Sequence, residues 1–137
     1  MSASSLKTLR DAIKRQSFDA AYYISGEDDY QKDDAVRQLI DAALDPGARD
    51  FNLDTRRSPE LDAETLGILV STPPMMASRR IVVLREVNGL KKDARKVLDQ
   101  YLTNPASDLL LIMTAPAGSK PDGSFSATLL GRADAED

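Results

Sequence analysis

The sequence predicts a three-layer α/β domain with a mostly parallel sheet, and three observations carry that prediction. Apolar strand-like runs alternate with helix-period segments along the chain. Two of the runs, Ile81-Val82-Val83-Leu84 and Leu109-Leu110-Leu111-Ile112-Met113, are apolar without alternation, the pattern of strands covered on both faces. With 137 residues, 42% of them hydrophobic, the chain is long enough for one domain to bury a core without disulfides or metals.

Leu6, Leu9 and Ile13 fall at spacings of three and four, which predicts an N-terminal helix within residues 1–18 that ends near Arg15. Ala20 to Ser25 reads as a first buried strand, followed by the turn-like cluster Gly26-Glu27-Asp28-Asp29. Val36, Leu39, Ile40, Ala43 and Leu44 then form one helical stripe that Pro46-Gly47 ends. A second strand is expected over Asp50 to Asp54, and a third helix from about Asp62 carries Leu66, Leu69 and Val70 inward until Pro73-Pro74 stops it. The strand from Ile81 follows, then a helix with Leu90, Ala94, Val97, Leu98, Tyr101 and Leu102 on one face, then the strand from Leu109. Strands separated by helices in this way require crossover connections, and hence parallel pairing. The domain is expected to span residues 19–115, with a mobile or divergent polar tail over residues 116–137.

Composition excludes much chemistry. Cys and His are absent, so a thiol nucleophile, a Cys or His zinc site and an imidazole base are all ruled out. Eighteen Lys and Arg face 22 Asp and Glu, a formal charge of −4, which gives no global attraction for a polyanion. The longest apolar run is far shorter than the roughly 20 residues of a bilayer span, and the N-terminus is polar where a signal peptide is apolar. A cytoplasmic chain without membrane contact is the expectation.

The segment from Gly26 to Asp33 lies where a first strand hands over to a first helix, the place of a phosphate loop. Laid on G-x-x-x-x-G-K-[ST], it keeps Gly26 and Lys32 but sets Gln31 at the second glycine and Asp33 at the hydroxyl. Glu27, Asp28, Asp29 and Asp33 bring four carboxylates into the space a triphosphate would occupy. Two anions about 4 Å apart repel by roughly 1 kcal/mol even at the dielectric of water. Read plainly, the segment is also an ordinary polar turn whose acids complement a helix dipole. A nucleoside triphosphatase further needs a strand-end carboxylate for magnesium, yet the third strand ends in Arg85-Glu86. Both halves of the chemistry fail in a chain whose element order still suits it. The reading is therefore a P-loop NTPase (RecA/AAA+)-like fold with a degenerate nucleotide site, needing no cofactor or metal. An active ATPase with a divergent loop is one alternative. A phosphoacceptor receiver-like domain is another, since Asp28-Asp29 and Thr114 suit it, although Arg85 stands where its aspartate belongs.

Pro73-Pro74-Met75-Met76-Ala77-Ser78 forms a corner in front of Arg79-Arg80. Methionine is flexible and polarisable, which fits an apolar plug for another protein, and fits core packing at a helix-to-strand corner equally well. From 79 to 96 the chain carries seven cations, Arg79, Arg80, Arg85, Lys91, Lys92, Arg95 and Lys96, against Glu86 and Asp93. That stretch reads first as a solvated face, and second as a surface for an acidic protein or a DNA backbone.

Tyr23-Ile24-Ser25-Gly26-Glu27-Asp28, Pro46-Gly47-Ala48-Arg49-Asp50-Phe51-Asn52-Leu53-Asp54, Thr72-Pro73-Pro74, Ala77-Ser78-Arg79-Arg80 and Thr114 to Asp122 occur in order. Together they resemble the N-terminal domain of the bacterial DNA polymerase III delta subunit. The resemblance implies a clamp-loader subunit without ATPase activity, part of a DNA-directed DNA polymerase (nucleotidyltransferase) holoenzyme, that opens the sliding clamp. It also implies that Met75 and Met76, with Pro74, Ala77 and Arg79 beside them, enter a pocket on the clamp. The implied partners are the clamp, the ATPase subunits and delta-prime, with DNA contact at most indirect. Family members are longer, and the sequence departs from the family after Asp122. A shortened chain lacking the domain's last strand is the expectation.

Overall fold

Ile81 to Leu84 sit at the centre of the molecule because the strand that carries them has a neighbour on each side. The computed structural model describes residues 3–116, with side chains from Leu9 onward. Its strands are β1 (Ala21–Gly26), β2 (Leu53–Arg57), β3 (Arg80–Arg85) and β4 (Leu109–Pro116). They form one sheet in the order β1-β4-β3-β2, with every pair parallel. The helices are α1 (Ala3–Arg15), α2 (Asp29–Ala43), the single turn α3 (Arg49–Asn52), α4 (Ala63–Ser71) and α5 (Lys92–Thr103).

Alternate strand residues face opposite sides, so each unbroken apolar run supplies two cores at once. Ala21, Tyr23, Val82, Leu84, Leu111 and Met113 pack with Leu66 and Leu69 of α4 and Leu98 and Leu102 of α5. Tyr22, Ile24, Ile81, Val83, Leu110 and Ile112 pack on the other side with Leu9 of α1 and Val36 and Leu39 of α2. The three-layer α/β expectation holds, and the N-terminal helix shares the domain's core through Leu9. A fully buried leucine of this kind contributes about 1.5–3 kcal/mol.

Caps and prolines set the helix ends. The Asp28 carboxylate accepts from the backbone N–H of Tyr30 and Gln31 to start α2, and that of Asp62 accepts from Thr65 to start α4. Thr72 is already extended ahead of Pro73, which ends α4. Tyr22 is buried with its hydroxyl accepting from the Asp19 N–H at 3.1 Å, and loss of hydration raises its pKa above the ordinary value.

The second strand corrects the sequence reading. Asp50 to Asn52 lie in the α3 turn, and β2 starts only at Leu53 and runs to Arg57. The Leu53 N–H donates to the Arg49 carbonyl and the Asn52 side chain turns back to the Ala48 carbonyl, closing a helical turn that Phe51 and Leu53 alone do not announce. β4 is longer than expected, because Thr114 to Pro116 continue in register beside Ile24 to Gly26. The tail, the departure after Asp122 and the question of a last strand lie outside the described residues, apart from Pro116.

Candidate functional site

Parallel strands place all their C-terminal ends on one side of the sheet, and a cleft of about 550 Å³ opens there. Asp29, Lys32, Asp33, Arg57, Arg85 and Glu86 supply its charged lining, with Gly89, Thr114 and Ala115 among the rest. Gly26 ends β1 and is not among the residues that line the cleft. Glu27, Asp28 and Gln31 are exposed, with the Asp28 carboxylate engaged as the cap of α2.

Every cation in the cleft is answered by the chain's own acids or carbonyls. Lys32 is buried; its Nζ donates to the Ala115 carbonyl at 3.2 Å and lies 3.2 Å from Asp29 Oδ1. Arg85, at the end of β3, donates from Nη1 to Asp33 Oδ1 at 2.7 Å. This bond joins one of the two failing phosphate-loop positions, Asp33, to the failing strand-end position. Arg57, at the end of β2, donates to Glu86 Oε2 from Nε at 2.8 Å and lies 2.6 Å from Glu60 Oε2. Glu86 and Glu60 hold the Arg57 guanidinium above its ordinary pKa, chiefly through the Glu86 hydrogen bond. Among the described residues, no group of three or more carboxylates is placed to hold a metal.

The opposite end of the sheet carries the methionine corner. The connection between α4 and β3 turns there, and Met75 is 55% and Met76 98% exposed. Core packing, the second reading of this pair, is thereby excluded for both side chains. Met76 has φ 55°, a left-handed backbone uncommon for a residue with a side chain. Pro74 is half-buried, and Ala77 packs back against the α1–α2 core. Arg79 lies with its guanidinium 4.9 Å from the Phe18 ring centroid, which binds the base of the corner to the segment before β1.

The basic stretch from 79 to 96 does not form one face. Arg80 is buried and paired with Asp54, with a further 3.4 Å bond to the Phe51 carbonyl; Arg85 turns to Asp33. Lys91, Lys92 and Lys96 remain exposed on and beside α5. Two contributors escaped the sequence reading. Arg57 carries no signal in the sequence, because it meets Glu86 only where β2 lies beside β3. Asn52 is fully buried and hydrogen-bonded to both backbone polar groups of Met75, a contact between residues 23 apart that no local motif signals.

The family model for the DNA polymerase III delta subunit matches residues 22–133, most of the chain, and so continues past Asp122, where a departure from the family is expected from the sequence. The chain belongs to that family. Among solved structures, this delta-family chain is similar to the Bacillus subtilis DNA clamp loader delta protein. The TM-score is 0.77 at 20% identity, over 96% of this chain and 42% of that one. It is similar also to a Thermotoga maritima DNA polymerase III gamma subunit-related protein, at TM-score 0.61 and 15% identity over 80% of this chain and 39% of that one. The Thermotoga maritima RuvB Holliday junction branch migration motor matches at TM-score 0.59 and 14% identity, over 98% of this chain and 43% of that one. At these identities the structures show a shared AAA+-like fold, and the delta-family chain spans less than half the length of each. No curated protein sequence matches it at a significant level. No helix among the described residues is long and apolar enough to cross a membrane.

Proposed function

We propose that this delta-family chain is the clamp-engaging part of a bacterial clamp loader, and that it works by binding rather than by catalysis. The observation that carries the reading is the pair Met75 and Met76, 55% and 98% exposed at the turn of a loop whose base is packed against the domain. Adjacent solvated methionines carry a hydration cost that a partner pocket relieves. The two side chains enter an apolar pocket on the sliding clamp, and tighter binding to the open ring than to the closed one shifts the clamp towards opening. The ATPase subunits and delta-prime supply the rest of the assembly, in the cytoplasm, and DNA is met through the clamp.

The charge pattern of the cleft supports a site without ATPase activity. A triphosphate would have to displace Asp33 from Arg85 and Asp29 from Lys32. The oxygen that magnesium needs from a loop hydroxyl is replaced by the Asp33 carboxylate, and the strand-end acid by Arg85. An active ATPase is disfavoured on that ground, and a receiver-like phosphoacceptor by Arg85 at the end of β3.

The test is Met75→Asp combined with Met76→Asp, titrated calorimetrically against a bacterial sliding clamp. Burying two methionines is worth about 3–6 kcal/mol, so the loss expected is roughly 100-fold or more, with an unchanged thermal midpoint because neither side chain is in the core. Full affinity in the folded double variant would remove the tip from the function.

A further inference from the structure

A solvated loop that must present two side chains in one geometry needs something to hold its backbone, because ordering it only at the moment of binding weakens the complex. Asn52 has the geometry to do this. Its amide reaches from the end of α3, fully buried, into the connection between α4 and β3. Oδ1 accepts from the Met75 N–H at 2.6 Å, and Nδ2 donates to the Met75 carbonyl at 2.8 Å. Nδ2 also donates to the Ala48 carbonyl at 2.9 Å.

The amide thus pairs with both polar groups of a single residue, as a neighbouring strand would, and ties them to α3. Only a carboxamide of this length combines one acceptor with two donors in that arrangement: an aspartate offers acceptors alone, and a serine a single donor. The residue held in this way immediately precedes Met76, whose left-handed backbone is disfavoured without surrounding support. Arg80 braces the same turn from below through the Phe51 carbonyl and Asp54.

We propose that Asn52 is a positioning residue for clamp engagement: it does not touch the clamp, but fixes the backbone from which Met75 and Met76 project. This inference rests on the tip reading above. It predicts that the Met75 amide of the free wild-type chain exchanges slowly with solvent although it lies in an exposed loop. It also predicts that Asn52→Ala, which remains folded because the sheet and its two cores are untouched, binds the sliding clamp roughly 10- to 100-fold more weakly. ¹⁵N relaxation should then show faster motion at the Met76 and Ala77 amides and none at those of β3.

Three results would overturn the proposal: rapid exchange of the wild-type Met75 amide, clamp affinity of Asn52→Ala within about twofold of wild type, or lost affinity with tip amides as rigid as before. Should Asn52→Ala unfold, the exchange measurement on the wild-type chain, which needs no variant, still decides. If Met75→Asp with Met76→Asp still binds, the tip reading fails. If that variant loses binding and Asn52→Ala does not, only the role of Asn52 fails.

Discussion

Asp62 shows how a single carboxylate controls the helix that leads to the tip. It accepts the Thr65 N–H at 2.7 Å, and this bond holds its carboxyl below the ordinary value of 3.8. A group whose pKa is lower in the folded chain stabilises that state above the unfolded pKa and loses the effect as pH falls through the folded one. Wild type should therefore be more resistant to denaturant than Asp62→Ala at pH 7, and the difference should shrink as the pH is brought below the ordinary carboxyl value of 3.8. Urea midpoints at the two pH values read this directly; a gap that stays constant would mean that ionisation of Asp62 does not matter. Both caps, Asp28 and Asp62, were legible as residue types, since each precedes a helix-period run. The pairing of Arg85 with Asp33 was legible only as two misfits, because 52 residues separate them and only the fold brings them together.

Elements were readable where periodicity is strong and hidden where a long-range contact sets them. α2, α5, β3 and β4 follow their apolar patterns, whereas the α3 turn is joined by the Asn52 side chain to a distant loop, and β2 is an edge strand with an exposed, charged end. The cleft wall depends on a similarly hidden contact. A Cβ added at Gly89, in the turn after β3, would lie 2.8 Å from Pro59 Cγ in the turn after β2. Only glycine lets these two turns close up beside Arg57 and Glu86. Gly89→Ala should cost about 1–3 kcal/mol, read as a fall of several degrees in Tm by calorimetry. An unchanged Tm would show that the turns separate freely.

Over the whole molecule, the parallel sheet sets the tip and the cleft at opposite ends. Each strand delivers its C-terminal end to the cleft, and the connections into β2 and β3 deliver Asn52 and Met75 to the other side. Sequence patterns revealed the layers and both ends separately, since each lies on a local motif. That the ends are opposed follows only from strand direction. A scaffold of this form can grip a partner at one end while the other keeps its charges satisfied internally. The decisive measurement uses a sliding clamp carrying a fluorescent pair across one ring interface, mixed with this chain first without nucleotide and then with ATP and magnesium. An opening signal is expected on adding the chain alone, unchanged by nucleotide. A signal that appears only after ATP is added would contradict it.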